Sequence, residues 1–496
     1  MLYTSTRDKS VKVTSAQAIA QGISKDGGLF VPESIPAISK EFVDSLVGLD
    51  YISRAEKVLS LYLTDYTQEE IRMCVSGAYA EGKFSSDKVS PIKNIAEGKN
   101  ILELWRGPTC AFKDMALQLL PYLLTTAAKK TVADKTIVIL VATSGDTGKA
   151  ALEGFKDVPG TKIMVFYPND GVSPMQKLQM TTQSGENVAV CAINGNFDDA
   201  QSGVKKIFTD KEVAAKLDEN GMMFSSANSI NWGRLVPQIV YYISAYADLI
   251  ENGTIKNGDE VNVVVPTGNF GNILAAYYAK KMGIPFGKLI CASNANNVLT
   301  DFLKTGTYDR NRKFFTTTSP SMDILISSNL ERLLYHLTDE NAEAVSEWMS
   351  QLNTEGKYTV CDKVKALIED LFDAGCCDDK ETAETIADTY KKGYLLDTHT
   401  AVAVKVYDEY VKATDDKKET IIASTANPYK FSAAVLGAVS EVPADADEFR
   451  QVELLGEVTG EECPSQLATL KGSTPRFTDC CNKEDMINMV YQMLGI

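Results

Sequence analysis

Lys113 lies in the run LELWRGPTCAFKDMALQLLPYLL (residues 102–124), where a strand-like stretch, Ile101 to Leu104, turns into an apolar helical pattern. Thr109, Cys110, Ala111 and Phe112 crowd the lysine at this corner. Drawing an ammonium group out of water penalises its charged form, so its pKa falls and its free amine becomes a usable base or nucleophile. The alternative for a single lysine at a turn is a solvated surface charge.

Four further polar clusters each follow a strand-like run and precede a helix-like one. In VVVPTGNFGN (263–272), Gly268 and Gly271 allow tight backbone turns. Successive N–H groups of Gly268, Asn269, Phe270, Gly271 and Asn272 at a helix start could cradle an anion, or the loop is simply a tight turn. ATSGDTGKAA (142–151) offers Ser144, Asp146 and Thr147. These could grip a carboxylate through hydroxyls and helix N–H groups, or merely cap a helix. SSANSINWGRLVPQIVYY (225–242) brings Ser229, Asn231 and Arg234 ahead of an apolar helix. There the arginine fork suits a phosphate, unless Asn228 or Ser229 only caps the helix and Arg234 is solvated. ASTANPYKF (423–431) adds Ser424 and Thr425.

Neither glycine loop suits a nucleotide. PTGNFGN lacks the G-x-G-x-x-G pattern, and only two residues separate Gly145 from Gly148, with Ala150 where a P-loop needs Ser or Thr. The chain has only two histidines, His336 and His399, which leaves little room for a zinc site or a Ser–His hydrolase. Lysine chemistry among several anion cradles points to an aldehyde that also carries a phosphate. Pyridoxal phosphate is such a group, and it acts as an electron sink for carbanions.

The elements that must position these groups read as α/β. From about residue 95, near-continuous apolar strands alternate with helices, the pattern of parallel sheets covered on both faces. Ligands in such folds bind beyond the carboxyl ends of the strands, where every cluster above lies. Residues 1 to about 95 read as mainly helical, with amphipathic stretches at 39–60 and 67–82 and an extended break at DGGLFVPESIP. The charged region 335–395 reads as solvated helices, and the tail from 440 reads as peripheral, with a packed helix at its end.

At 496 residues, 44% hydrophobic and 23% charged, the chain has material for more than one domain. A net charge of −16 disfavours nucleic acid and anionic membranes as partners. No run approaches the ~18 apolar residues of a membrane span, and the N-terminal residues lack the basic and apolar regions of a signal peptide. The ten cysteines are scattered without a CxxC pair, so reduced thiols and a cytoplasmic location are expected, with Cys110 a small buried hydrophobe.

Taken in order, DGGLFVP, GPTCAFKDMALQLL, ATSGDTGKAA, ANSINWGRLVPQIVYY, PTGNFGN and STANPYKF resemble threonine synthases of the longer form, over nearly the whole chain. The resemblance implies two doubly wound parallel-sheet domains with pyridoxal 5'-phosphate in the cleft between them, plus a mainly helical N-terminal domain. The implied division is an N-terminal cap (1–95), a large cofactor domain (96–136 and 246–496) and a small α/β domain (137–245). The implied reaction takes O-phospho-L-homoserine and water to L-threonine and phosphate. Lys113 would hold the cofactor and shuttle protons. Gly268 to Asn272 would cradle its phosphate, Thr425 would meet the pyridine nitrogen, and Asp146 would stand beside the ring hydroxyl. Ser144 and Thr147 would meet the substrate carboxylate, and Ser229, Asn231 and Arg234 its phosphate. Two positions depart from the pattern: Asp146 stands where many relatives of the wider group carry Asn, and Asn427 where His is more usual. Another lyase of the same fold, such as a serine/threonine dehydratase, and a catalytically idle cofactor-binding protein are the alternatives. A monomer and a homodimer are equally open.

Overall fold

Runs rich in Val and Ile build two sheets. A computed structural model describes residues 1–132, 135–143, 145–170 and 172–496. The larger sheet has six strands, in the order Phe372–Cys376, Phe286–Ser293, Val261–Pro266, Thr420–Ser424, Lys99–Glu103 and Ile92–Ala96. All its pairings are parallel except that of the edge strand Ile92–Ala96. Val261–Pro266 and Thr420–Ser424 are buried along their whole length, as expected for central strands covered on both faces. The second sheet is parallel throughout, in the order Cys480–Asn482, Val188–Asn194, Thr161–Pro168, Thr136–Ala142 and Met222–Ser225.

The amphipathic N-terminal stretches fold as the helices Lys40–Asp44, Tyr51–Tyr62 and Gln68–Ala78, after a first helix Ser15–Gln21. Thr67 and Glu70 form a capping box that fixes where the last of these begins. The break at DGGLFVPESIP contains a short strand, Phe30–Pro32, paired with Tyr3–Ser5. Two C-terminal carbonyls of Ser15–Gln21 are satisfied from outside the cap: Ser225 Oγ donates to Ala20 O at 2.8 Å and Asn231 Nδ2 to Ile19 O at 3.0 Å. The cap is thereby tied to the loop that leads into the helix carrying Arg234.

Two regions differ from the pattern read in the sequence. The stretch 335–395 is not helical throughout, because Phe372–Cys376 pairs with Phe286–Ser293 as an edge strand of the large sheet. Asp and Gly in FDAGC hide its strand character between two helices. The tail is also less peripheral than its composition implies. Cys480–Asn482 joins the edge of the second sheet, and the helix Met486–Leu494 packs Met486, Val490 and Leu494 against it. Among the described residues, no helix is long and apolar enough to cross a membrane.

Candidate active site

The strand Lys99–Glu103 ends one loop before Lys113, and that loop is pinned to the end of its neighbour, Thr420–Ser424. Phe112 N donates to Thr425 O at 2.8 Å, Asn427 N donates to Cys110 O at 3.0 Å, and Ala111 bridges Ala426. Cys110 takes a left-handed backbone, φ 60°, a conformation a non-glycine residue holds only where its surroundings enforce it. Burial pushes its thiol up to about 12, so Cys110 is an unreactive packing group. Asp114 closes the loop by accepting from Thr109 N at 2.8 Å and Thr109 Oγ1 at 2.7 Å.

Lys113 is thus held partly buried, with Nζ 3.5 Å from Ser321 Oγ. Burial lowers its pKa; Asp146 opposes that fall, while Lys430 and Arg234 add to it. Phe112, Asp146, Ser321, His399 and Thr425 line the cavity around it. The sequence expectation for Lys113, Asp146 and Thr425 was one site, and the structure brings these three together.

Beyond the end of Val261–Pro266, the helix Gly271–Met282 starts from Phe270, whose left-handed φ of 66° curls the loop back on itself. Among the described residues, the N–H groups of Gly268, Asn269, Phe270 and Gly271 meet no backbone acceptor. Asn272 Oδ1 accepts from Tyr241 and Tyr242, while its buried Nδ2 has no partner. Unspent donors at a helix start fit a phosphate. A Cβ on Gly268 would come within 2.6 Å of Ser321 O, a backbone atom. Gly268→Ala must therefore displace the cradle or the Ser321 segment. It is expected to weaken pyridoxal phosphate binding at least about tenfold, read by fluorescence titration.

Arg234 is the candidate for a second anion site. It sits in the first turn of Trp232–Glu251 and is 4% exposed. Its Nη1 donates to Ala227 O at 2.6 Å, its Nε has no partner, and burial lowers its pKa to about 10. A buried guanidinium with an unspent donor and no facing carboxylate suits an incoming anion. Ser229, partly exposed, follows two residues after Ala227, whose carbonyl Arg234 holds. Asn231 does not behave as expected from sequence. Its Nδ2 is used by Ile19 O and Ser226 O, and its Oδ1 caps the helix through Gly233 N. It holds the Arg234 loop and has no donor left for a ligand. Thr147 stands partly exposed at the start of the helix Asp146–Phe155, whose turn is closed by Thr143 Oγ1 on the N–H groups of Gly145 and Gly148. Ser144 lies outside the described residues.

Lys430, within ASTANPYKF, shows no role in the sequence alone. It is buried, with Nζ 2.8 Å from Asp146 Oδ1 and 3.0 Å from Thr109 O. Burial pushes the Asp146 carboxyl up, but the charges of Lys430 and Lys113 outweigh it and hold it at about 2. Asp146 is thereby kept ionised beside Lys113. A carboxyl held below its ordinary range stabilises the fold above pH ~4, and that contribution is lost as pH falls toward 2. Lys430→Met should destabilise the protein by about 3–5 kcal/mol at pH 7 and flatten the loss of stability between pH 4 and 2. Adding Asp146→Asn should restore part of it. Chemical unfolding across pH reads both.

His399 also enters the cavity, unexpectedly for a chain whose histidines gave no signal. Its Nδ1 lies 3.1 Å from Asp397 Oδ1, and its Nε2 accepts from Ser321 N at 3.1 Å. The trio has the composition of a hydrolase triad, but Nε2 is taken by a backbone N–H and cannot receive a hydroxyl proton. It orients the Ser321 turn instead. The one signal was the spacing in DTHT, where Asp397 caps the helix Thr398–Thr414 and faces its own His. Asn427 caps the turn Pro428–Phe431 through Tyr429 N at 2.9 Å, which gives this departure a local structural role. No group of metal-ligating side chains is found among the described residues.

Comparison with known proteins agrees with this geometry. Residues 2–79 match the family described as threonine synthase N terminus, 102–425 that of pyridoxal-phosphate dependent enzymes, and 400–490 that of threonine synthase, C-terminal. Threonine synthase-like 1 of Pongo abelii is 43% identical over 455 residues, 89% of this chain and 60% of that protein. This chain thus spans about 60% of the length of those relatives. Threonine synthase of Saccharomyces cerevisiae is 39% identical over 88% of this chain and 89% of its own. A crystal structure of pyridoxal-phosphate-bound threonine synthase from Brucella melitensis superposes with a TM-score of 0.89 at 36% identity, covering 99% of each chain. Lys113 and the open cradle at Gly268–Asn272 fit pyridoxal 5'-phosphate, which is the cofactor of this chain.

Proposed function

We propose that this chain, which belongs to the threonine synthase family, converts O-phospho-L-homoserine and water to L-threonine and phosphate. One observation carries the reading: Lys113 shares the Ser321 turn with the N–H cradle of Gly268–Asn272 and also feels the charge of buried Arg234, whose Nε has no partner. One phosphate belongs to the cofactor, so the second site is left for a phosphate on the substrate. A serine/threonine dehydratase has no use for that second site.

When bound, pyridoxal phosphate delocalises negative charge that develops at the substrate α-carbon. The rest is done by the chain. Gly268 to Asn272 hold the cofactor phosphate through backbone N–H groups. Thr425, a neutral hydroxyl, would hold the pyridine nitrogen without forcing a proton onto it, and ionised Asp146 would hold the ring hydroxyl. Ser144 and Thr147 meet the substrate carboxylate. Arg234 and the Ser229 hydroxyl hold the substrate phosphate until it leaves the γ-carbon; Asn231 supports their loop. Lys113 Nζ moves protons at the α-, β- and γ-carbons, a task suited to an amine whose pKa is brought toward neutrality. The small domain, 137–245 joined by the tail strand Cys480–Asn482 and helix Met486–Leu494 that complete its sheet, closes over the ligand and keeps water out until it adds at the β-carbon. Structures with and without a substrate analogue should differ in this closure; identical ones would contradict it. Ten free cysteines support a reducing, cytoplasmic setting.

The reaction in ¹⁸O-labelled water tests the chemistry. Elimination breaks the γ-carbon–oxygen bond, so threonine should gain one labelled oxygen and phosphate none. Label in phosphate would mean phosphoester hydrolysis and would overturn the reading.

A further inference from the structure

The segment Ser319–Arg332 runs beneath both anion sites. Ser327 Oγ donates to Gly268 O at 2.8 Å, and Asn329 N donates to Asn269 O at 3.0 Å. In a trans peptide the carbonyl of one residue and the N–H of the next point in opposite directions. Anchoring Gly268 O and Asn269 O below therefore aims the N–H groups of Asn269 and Phe270 away from the segment, into the cradle. The side chain of Asn329 faces the other site: its Nδ2 donates to Ser229 O at 3.2 Å. It also packs 3.4 Å from where a Cβ on Gly271 would stand.

Arg332 completes the connection. It is fully buried, and its donors end on neutral oxygens of three different segments. Nη1 donates to Asn329 Oδ1, Nη2 to Ile230 O beside Ser229, and Nε to Phe30 O of the N-terminal cap at 2.9 Å. A buried guanidinium costs solvation energy, and here it is spent on holding backbone in place.

We infer that Asn329 and Arg332 are positioning residues that lock the cofactor-phosphate cradle, the substrate-phosphate loop and the N-terminal cap into one register. The inference rests on the two-cradle reading above, and it gives the cap a part in ligand binding without touching a ligand. Neither residue contacts the reacting atoms.

The test compares Arg332→Met and Asn329→Ala with wild type in titrations with pyridoxal phosphate and with pyridoxal, which lacks the phosphate. Arg7→Met serves as the structural control. Arg7 grips Glu331, next to Arg332, through Nε at 2.8 Å and Nη2 at 2.7 Å, but contacts neither cradle. Arg332→Met should weaken pyridoxal phosphate at least about tenfold, with pyridoxal changed less than about threefold, whereas Asn329→Ala, which keeps the N–H on Asn269 O but releases Ser229 O, should act chiefly by raising KM for O-phosphohomoserine. KM for O-phosphohomoserine should rise more than kcat falls. Arg7→Met should lower thermal stability without altering the ratio of the two cofactor affinities. Equal weakening of both cofactor forms, or lower stability with no change in affinity, would overturn the inference. Should Arg332→Met fail to fold, Asn329→Ala decides. A wild-type protein inert toward O-phosphohomoserine would refute the functional reading, while the cofactor comparison would still decide this one.

Discussion

Lys113→Ala should lose at least about 10³-fold in turnover of O-phosphohomoserine, the range expected when a positioned proton-transfer group is removed. The fold should survive. Phe112, Asn427 and Ala426 fix the corner through backbone contacts that alanine keeps, so thermal stability should change little. The cofactor should still enter, because its phosphate cradle is untouched, but borohydride reduction should no longer attach it to residue 113. Wild-type enzyme should show its rate rising with pH and levelling off below the ordinary lysine range, since burial lowers the Lys113 pKa. A mutant that keeps more than a tenth of wild-type activity would take the lysine out of the chemistry.

The second large effect falls on Arg234. Arg234→Met removes the buried guanidinium with an unspent Nε and should raise KM for O-phosphohomoserine by on the order of 10²-fold or more. Arg234→Lys keeps the charge but loses the fork, so it should fall between. Pyridoxal phosphate affinity should move less than about threefold in either variant, because the proposed place for that phosphate is Gly268–Asn272. This pattern separates the reading from two others. A dehydratase would show no penalty with substrates that lack a phosphate. A swapped assignment, with Arg234 on the cofactor, would show the loss in cofactor affinity instead.

The sequence exposed the strand-end motifs because each combines a local pattern with a local job. Apolar Val263–Val265 followed by Pro, Gly and Asn declares both a buried strand and an N–H cradle within ten residues. The corner at Lys113 was legible for the same reason. What stayed hidden depends on partners far apart in the chain. Lys430 acquires a role only when its helical turn meets Asp146, 284 positions earlier, and an isolated lysine gives no sign of that. Asn329 and Arg332 act on carbonyls of Phe30, Ser229 and Ile230, and backbone acceptors leave no trace in a sequence. Asn231 was misread in the opposite sense. A polar residue before a helix suggests a ligand, but its amide is consumed by capping two helices from the inside. The edge strand Phe372–Cys376 was missed because its hydrophobic pattern is short and lies between amphipathic helices.

The most direct test is a product balance. Purified protein loaded with pyridoxal phosphate is given O-phospho-L-homoserine, and phosphate and threonine are measured together, beside Lys113→Ala. Equal amounts of both products, lost in the mutant, are the expected result. Bound cofactor with no phosphate released, or phosphate released without threonine, would contradict the account.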